Sequence, residues 1–596
     1  MDKAILDKAR EWTSSYFDEH TRREIQSLID SNNQDELVDR FYKDLDFGTG
    51  GMRGIMGAGT NRMNTYTVGK ATQGLADYLL DRYDEAGRKG VCICYDSRLN
   101  SDFFARQAAG TLAANGIQVY LFSELRPTPL LSFAVRSLGA AAGVVITASH
   151  NPREYNGYKV YAEDGSQVTS PEDSRIVDYV NNVVIGRTVK RMDYREGVEK
   201  GLIKVLGQSM DREYLHRLEG FIHRLESGIK TSLEKLEQEL KVVYTPLHGS
   251  GITLVPRALD TIGALRVINE KKQSEPDGNF PTAPKPNPEE HQALSNALSL
   301  AREEKADMVI ATDPDCDRMA LAVPDEKGEF VILTGNQIGV MFAQMILASY
   351  TRSNQMPPSP TIVTTIVSTE LIKEIAEDFG VGVIEVLTGF KYIGEKMKEF
   401  EQQGDRSFVY GFEESYGYLA DTFVRDKDGV IASVLGAILV KYAIAEYGSV
   451  QEFLCSIYRR YGMYMEYQTS FTMEGAKGEA KIKDTMDWLR SSTPQAVAGS
   501  PVRLQKDYLS RKAYYPEQGK TEDITGIPSS NVLQFYTRDS LKVSVRPSGT
   551  EPKIKFYFAL KKPVADGIDQ TRQKLHQHFQ EASQEIFRNY GLIEES

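Results

Sequence analysis

The chain of 596 residues reads as α/β, with three mixed α/β units followed by a C-terminal α+β region. Three observations predict this class. Apolar runs of strand length alternate with helical stretches, and several of those runs pass directly into a short loop of Asp, Ser, Glu or Arg. Near the end, strand-like runs crowd together before one long helix. In parallel α/β sheets functional groups gather in loops beyond the carboxyl ends of strands, so the polar loops are where chemistry is expected.

The first forty residues read as helix, with Ile5, Ala9, Trp12 and Tyr16 at helical spacing and Leu37, Phe41 and Tyr42 in a following turn. The composition then changes at Phe47-Gly48-Thr49-Gly50-Gly51-Met52-Arg53-Gly54, where a helix cannot pass and a backbone loop approaching a ligand is expected. Strands follow over 91–95, 119–122 and 143–147, with a helix over 102–115. The third strand ends in Ala148-Ser149-His150-Asn151-Pro152. A strand over 242–244 leads into Thr245-Pro246-Leu247-His248-Gly249. A helix over 288–305 precedes a strand over 308–312 that runs into Asp313-Pro314-Asp315-Cys316-Asp317-Arg318. Strands over 361–367 and 383–386 alternate with helices near 370–379 and 392–400. A strand over 408–410 then delivers Gly411-Phe412-Glu413-Glu414-Ser415-Tyr416-Gly417, read as an extended loop. Residues 469–528 are polar and rich in Pro, Ser and Gly, and no element is assigned there. Strands over 532–536, 541–545 and 554–559 and a helix over 565–590 complete an antiparallel α+β region. The three strand-then-loop units share no identity-level repeat.

Composition narrows the function classes. Lys and Arg total 71 and Asp and Glu 83, so the formal charge is 71 − 83 = −12. That argues against nucleic acid or anionic membrane as a partner, since both call for a concentrated basic surface. Four scattered cysteines, Cys92, Cys94, Cys316 and Cys455, form neither a disulfide framework nor a zinc knuckle. The N-terminus mixes both charges without the apolar core of a signal peptide, and the longest apolar run, 430–440, is too short to span a bilayer. A cytoplasmic enzyme is expected.

Four loops carry the chemistry. Asp313, Asp315 and Asp317 stand at period two after a buried strand; three carboxylates so close repel one another unless a cation is present, and hard oxygen ligands suit Mg²⁺. An EF-hand is excluded because Arg318 stands where the sharp-turn glycine belongs and Pro324 where the twelfth-position Glu belongs. Ser149 closes a strand but lacks a Gly-x-Ser-x-Gly elbow, which argues against an α/β-hydrolase. On an extended backbone His150 points away from Ser149, and is expected to contact phosphate or to support the site from behind. Arg546-Pro547-Ser548-Gly549-Thr550-Glu551-Pro552-Lys553 offers hydroxyls, amides and an Arg fork to a phosphate dianion. Glu413 and Ser415 can grip vicinal sugar hydroxyls, and Thr388-Gly389-Phe390-Lys391 adds a cation. Neither a Walker A motif nor a dinucleotide fingerprint is present.

These four loops in this order resemble the α-D-phosphohexomutase superfamily, and within it the larger bacterial members. The resemblance extends to residues 47–54, to Asn156-Gly157-Tyr158-Lys159, to 245–249 and to 388–391, so it spans roughly residues 40–560. It implies a heart-shaped molecule of four domains around a cleft, three of mixed α/β fold and one C-terminal α+β domain. The boundaries expected are 1–205, with the phosphoserine loop; 206–330, with the metal loop; 331–450, with the sugar-binding loop; and 451–596, with the phosphate-binding loop. It further implies interconversion of glucose 1-phosphate and glucose 6-phosphate through phospho-Ser149 and a glucose 1,6-bisphosphate intermediate, which also serves as activator. By the same resemblance Asp313, Asp315, Asp317 and Ser149 hold Mg²⁺, and Ser149, Lys159, Arg53 and His150 are catalytic. Lys391, Glu413, Ser415, Arg546, Ser548, Gly549, Thr550 and Lys553 bind substrate. Lys159 is the preferred general acid/base, with neighbouring cations expected to lower its pKa. The partners implied are sugar phosphates, with the chain a monomer or weak homo-oligomer. Mannose or pentose phosphates are alternative substrates; an aspartyl phosphatase using Asp313, and a sugar-phosphate sensor, are the competing classes.

Overall fold

The computed structural model describes residues 2–48, 51–236, 238–473, 475–492, 494–548, 553–589 and 592. Three short helices open the chain, Lys3–Glu11, Glu19–Asp30 and Gln34–Phe41. The first stops before Trp12, so Trp12 and Tyr16 leave the helical register; Trp12 is buried and Tyr16 is exposed. Trp12 stacks on Phe17 at 4.5 Å, and both meet Tyr66. Tyr66 lies in the helix Thr65–Arg82, and its hydroxyl donates to Asp18 Oδ2 at 2.8 Å, which pins the leading helices to the first sheet.

The first sheet contains β1 (Gly51–Ile55), β2 (Val91–Tyr95), β3 (Val119–Phe122), β4 (Ala142–Ile146), β5 (Tyr155–Ala162) and β6 (Ile203–Leu206), in the order β1-β5-β4-β2-β3-β6. Strands β2, β3, β4 and β6 pair in parallel; β5 returns antiparallel to β4, and β1 antiparallel to β5. Part of the glycine-rich segment expected as a loop is therefore an edge strand. Gly51 is required there, because a Cβ would fall 2.1 Å from the Tyr158 carbonyl oxygen of β5 and its φ is +148°. Thr49 and Gly50 of that motif lie outside the described residues.

The second sheet contains β7 (Leu240–Thr245), β8 (Leu265–Asn269), β9 (Met308–Thr312), β10 (Met319–Pro324) and β11 (Phe330–Ile332). The third contains β12 (Pro360–Thr365), β13 (Gly382–Val386), β14 (Ser407–Glu413) and β15 (Gly417–Leu419). Each repeats the plan of the first: a parallel core, then an antiparallel return, β9 to β10 and β14 to β15. The polar loop of each unit is thus the turn of a hairpin added to a parallel sheet, a recurrence of topology without recurrence of sequence. Residues 411–417 are not one extended loop, since Gly411 to Glu413 belong to β14 and only Glu414, Ser415 and Tyr416 form the turn.

The polar stretch left unassigned in the sequence is ordered: β16 (Met463–Thr472), a helix Gly475–Ser491, β17 (Ala496–Val497), β18 (Ser500–Asp507), β19 (Lys512–Tyr515) and β20 (Lys520–Asp523). With β21 (Leu533–Thr537), β22 (Lys542–Pro547) and β23 (Lys553–Lys562) they form one antiparallel sheet, β16-β23-β22-β21-β18-β19-β20, with β17 on β18. Phe535, Val543, Val545, Phe556 and Phe558 fill the core on one face, and the helix Ile568–Asn589 covers it through Phe579 and Phe587.

The apolar run at 430–440 belongs to a longer helix, Gly429–Tyr447. Its nineteen residues are long and apolar enough to cross a membrane, contrary to the reading from run length, but 83% of its apolar window is buried inside the fold. It packs against β9 and β10. All four cysteines are free thiols.

Candidate active site

Three hairpin turns converge, and each contains a non-glycine residue in left-handed backbone: Ser149 at φ +52°, Cys316 at +53° and Tyr416 at +65°. Backbone hydrogen bonds tie the metal turn to the first and third units. Thr128 N donates to Asp315 O at 2.8 Å, and Met319 N to Tyr416 O at 3.1 Å. The 245–249 loop supports the metal loop from below: Ser250 N and Oγ both donate to Pro314 O at 2.8 Å, and a Cβ on Gly249 would sit 2.4 Å from Pro314 Cα.

Ser149 is buried and its Oγ donates to Asp313 Oδ2 at 2.8 Å. Its loop is held from beneath by Thr147, whose Oγ1 donates to Asp96 Oδ2 at 2.6 Å and accepts from Ser149 N at 2.8 Å. Arg98 adds donations to the carbonyl oxygens of Ser149, Asn151, Pro152 and Tyr155. Because Ser149 is left-handed and not extended, His150 turns back, and its Nδ1 stands 3.2 Å from Ser149 Oγ. That corrects the expectation that His150 points away. Burial, with the Arg318 and Arg53 cations, holds the imidazole well below the usual histidine range, so it is neutral. Arg53 donates from Nη1 to Asn151 Oδ1 at 2.8 Å, on the same loop.

Asp313, Asp315 and Asp317 are each no more than 1% exposed, and one ligand oxygen from each lies within 4.8 Å of the others. Asp315 Oδ1 and Asp317 Oδ1 are buried without a hydrogen-bond donor. Burial and the charges of Asp315 and Asp317 push Asp313 well above the carboxylate range. Burial also opposes ionisation of Asp317, but Lys427 and Lys159 outweigh it and hold that carboxyl below its usual range. Clustered buried carboxylates with unused oxygens fit a hard divalent cation.

Lys159 reaches the triad from β5, donating to Asp315 Oδ2 at 2.8 Å and Asp317 Oδ2 at 3.4 Å. Burial works against its charge, yet the two carboxylates prevail and raise its pKa above the usual lysine range. The expected depression by neighbouring cations is therefore overturned; Lys427 and Arg53 act in that direction but are the weaker influence.

Sequence reasoning missed Lys427. Its Nζ lies 3.1 Å from Asp317 Oδ2, at the mouth of the helix Gly429–Tyr447. Gly417 makes room for it, since a Cβ there would fall 2.3 Å from Lys427 Cδ and 3.0 Å from Glu413 Cγ. The available signal was Arg425-Asp426-Lys427-Asp428, a run of four charges directly before the most apolar run of the chain. Glu413 is buried at the end of β14; burial, opposed by Lys427 and reinforced by Glu414, lifts its pKa to about 7. Ser415 is half-buried in the same turn. Arg318 pairs with Glu289 at 3.0 Å.

Lys391 opens the helix Lys391–Gln403 and stands 3.8 Å from Asp173 of the first unit. Arg546 is the penultimate residue of β22, within electrostatic reach of Tyr392 and Tyr557. Ser548 N donates to Lys553 O at 2.8 Å, closing the base of the β22–β23 turn. Gly549 and Thr550, also expected at that turn, lie outside the described residues.

A serine facing a buried acidic triad, flanked by Lys159, Arg53 and Lys427, is equipment for phosphoryl transfer. Three models of the phosphoglucomutase/phosphomannomutase family, its alpha/beta/alpha domains I, II and III, match residues 44–184, 219–328 and 334–461. The chain belongs to this family. A phosphoglucomutase of Staphylococcus haemolyticus is 35% identical over 557 residues, which is 93% of this chain and 96% of that one. A phosphoglucomutase of Staphylococcus aureus is 35% identical over 90% of this chain and 93% of that one. Among solved structures, the open form of parafusin, a phosphoglucomutase from Paramecium, superposes with TM-score 0.64 at 16% identity, covering 92% of this chain and 96% of that one. A putative phosphomannomutase from Thermus thermophilus gives 0.62 at 21% identity, covering 90% and 99%. Three α/β domains followed by a β-rich C-terminal domain are the fold of this family.

Proposed function

We propose that the chain is a phosphoglucomutase, interconverting α-D-glucose 1-phosphate and glucose 6-phosphate through phospho-Ser149 and glucose 1,6-bisphosphate. The observation that carries this is Ser149 Oγ set 2.8 Å from Asp313, within a triad that keeps two oxygens unused. The four units 1–205, 206–330, 331–450 and 451–596 each supply one loop. Asp313, Asp315, Asp317 and the Ser149 oxygen, once phosphorylated, would hold Mg²⁺. Bound there, the cation supplies charge compensation for the phosphoryl oxygens.

The protein's own groups supply the rest. Glu413 and Ser415 hold the sugar, while Lys391, Arg546, Ser548, Gly549, Thr550 and Lys553 hold the phosphate that is not reacting. Arg53 and Lys427 offset charge at the transferred group. In the first half-reaction the bond between phosphorus and Ser149 Oγ breaks as a bond to the sugar oxygen forms. The sugar hydroxyl proton passes to neutral His150, and the Lys159 ammonium gives a proton to Ser149 Oγ. After the bisphosphate turns over, its other phosphate returns to Ser149. The serine proton goes back to Lys159 and His150 protonates the departing sugar oxygen, so both groups end as they began.

Glucose 1,6-bisphosphate would prime the enzyme as activator. The setting proposed is cytoplasmic, as a monomer or weak homo-oligomer, with neither nucleic acid nor membrane as partner. Relative kcat/KM for glucose 1-phosphate, mannose 1-phosphate and ribose 1-phosphate tests the substrate: glucose 1-phosphate is expected to lead by about tenfold or more, the worth of one discriminating hydrogen bond of about 1.4 kcal/mol. A higher value for either of the others would replace it as substrate.

A further inference from the structure

Behind the Glu414–Tyr416 turn, the polar face of the C-terminal sheet meets the third unit over a second set of charges. Glu466, Ala559, Lys542 and Tyr536 are register neighbours across β16, β23, β22 and β21. Lys542 is 3% exposed and its Nζ has no hydrogen-bond partner. Glu370 Oε1 stands 3.9 Å away, and the Tyr536 ring centroid 5.7 Å. Lys542 lines a cavity of about 230 Å³ together with Glu370, Lys373, Arg503 and Lys561.

The carboxylates around this cavity are already engaged. Lys373 lies 3.0 Å from both Glu370 and Glu385, and Lys561 donates to Glu374 at 2.6 Å. Glu374 also accepts from the Tyr464 hydroxyl at 3.0 Å. Lys542, which reaches only the shared Glu370 and makes no hydrogen bond, and Arg503 keep donor capacity to spare, in a chain whose net charge is −12. Arg503 sits at the rim, where the register of β18 on β21 slips between Val502 and Leu504. Such bulges re-aim a side chain, and Arg503 Nε donates to Thr537 O at 3.2 Å. Burial, opposed by Glu370 and Glu385, keeps Lys542 below the usual lysine range, and its nearest carboxylate, Glu370 at 3.9 Å, is shared with Lys373. A buried polar group is ordinarily hydrogen-bonded, so an unpartnered ammonium facing a cavity calls for an acceptor from outside.

We propose that this cavity binds a small oxyanion, the phosphate or carboxylate end of a metabolite, between Lys542 and Arg503 at the joint of the third unit and the C-terminal sheet. Lys542 also borders a larger cavity, about 320 Å³, lined by Glu289, Glu414 and Tyr416 of the candidate active site, so the two sites share a wall, and the inference does not rest on the mutase reading. The site shares β22 with Arg546, four residues and about 13 Å along the strand, so occupancy at one end is within mechanical reach of the other.

Thermal unfolding of the full chain, titrated with inorganic phosphate and separately with succinate, tests it. At least one anion is expected to raise Tm saturably, with the effect reduced in Lys542→Met to any background from other sites and its midpoint weakened about tenfold or more in Arg503→Gln, the loss of one charge-assisted hydrogen bond. Phosphate also fits the Arg546 turn, so the rise that persists in the variants measures that background. Saturation by phosphate alone identifies a phosphate-bearing ligand, and by succinate alone a carboxylate. If neither saturates, or the variants follow the wild-type curve, the proposal fails. Removing an unpartnered buried cation is expected to leave Tm in anion-free buffer at or above the wild-type value; a fall would show that Lys542 serves the fold, and would also overturn the proposal.

Discussion

Ser149 at φ +52° decides what its neighbour can do. Adjacent side chains diverge on an extended backbone; in the left-handed conformation His150 curls to 3.2 Å from Ser149 Oγ, the position the proposed proton-acceptor role requires. Left-handed non-glycine residues cost of order 1–3 kcal/mol and persist where surrounding structure over-determines them. Here Thr147, Asp96 and Arg98 do so. The residue types at the site were legible because polar side chains directly after apolar runs have few structural uses. The backbone twist was not, since nothing in Ala-Ser-His-Asn announces φ. Lys427 was illegible for a different reason, because a Lys between two Asp residues at a helix start reads equally well as a solvated turn. Glu413 supplies a test at this scale. Its pKa of about 7 lies above the ordinary glutamate value of 4.5, so it ionises, and becomes a pure acceptor for sugar hydroxyls, only as pH rises through about 7. Wild-type kcat/KM should rise across that interval, and Glu413→Gln should lower kcat/KM about tenfold or more at pH 8 while flattening that limb. An unchanged limb in the variant would assign it to another group.

At the level of elements, the hairpin is the recurring device. A parallel strand fixes where its carboxyl end points, and the antiparallel return holds the far side of the loop, so β4–β5, β9–β10 and β14–β15 present short, tethered turns. The parallel strands were readable from their apolar runs, such as 91–95 and 308–312, which are buried on both faces. Strand β1 was not, because its glycines mark a close backbone approach and look like a loop. The strands of 500–523 were hidden likewise, their side chains mixing exposed and buried positions on a sheet with one polar face. The helix Gly429–Tyr447 links units: its N-cap, Asp428, accepts from Val430 N and Ile431 N at 2.9 Å and from the Tyr214 hydroxyl at 2.7 Å. Burial nevertheless lifts the Asp428 pKa from 3.8 to about 6. The folded value exceeds the unfolded one, so stability is fullest below about pH 4 and declines as pH rises to about 6, by about 3 kcal/mol at about 1.4 kcal/mol per unit. Asp428→Asn keeps the capping oxygen and removes that decline. Urea unfolding of both proteins at pH 4.5 and pH 7 should show the variant gaining relative to wild type at the higher pH; parallel shifts would refute the assignment.

The whole molecule gathers its charges unevenly. A net charge of −12 coexists with Lys159, Arg318 and Lys427 gathered on one acidic triad and Arg53 on the adjoining Ser149 loop. The pattern is stable only if the surplus negative charge of Asp313, Asp315 and Asp317 is met by a cation or a proton, and the raised Asp313 pKa is the sign of that conflict. Magnesium is therefore expected to stabilise the fold: at about 100 times its Kd the gain is about 2.7 kcal/mol, seen as a higher Tm with MgCl₂ than with chelator. Asp313→Asn should abolish the difference, and a wild-type Tm indifferent to magnesium would rule the site out. How loops so far apart in the chain meet was invisible to composition and spacing; only their order, matched to a known family, placed them round one cleft. The proposed function makes Ser149 the carrier of the phosphoryl group, a claim open to direct measurement. Intact mass of the full chain before and after glucose 1,6-bisphosphate, with the added group mapped by fragmentation, should show one phosphoryl group on Ser149 that is absent from Ser149→Ala. An added phosphate on Asp313, or no added mass in an actively turning-over enzyme, would contradict it.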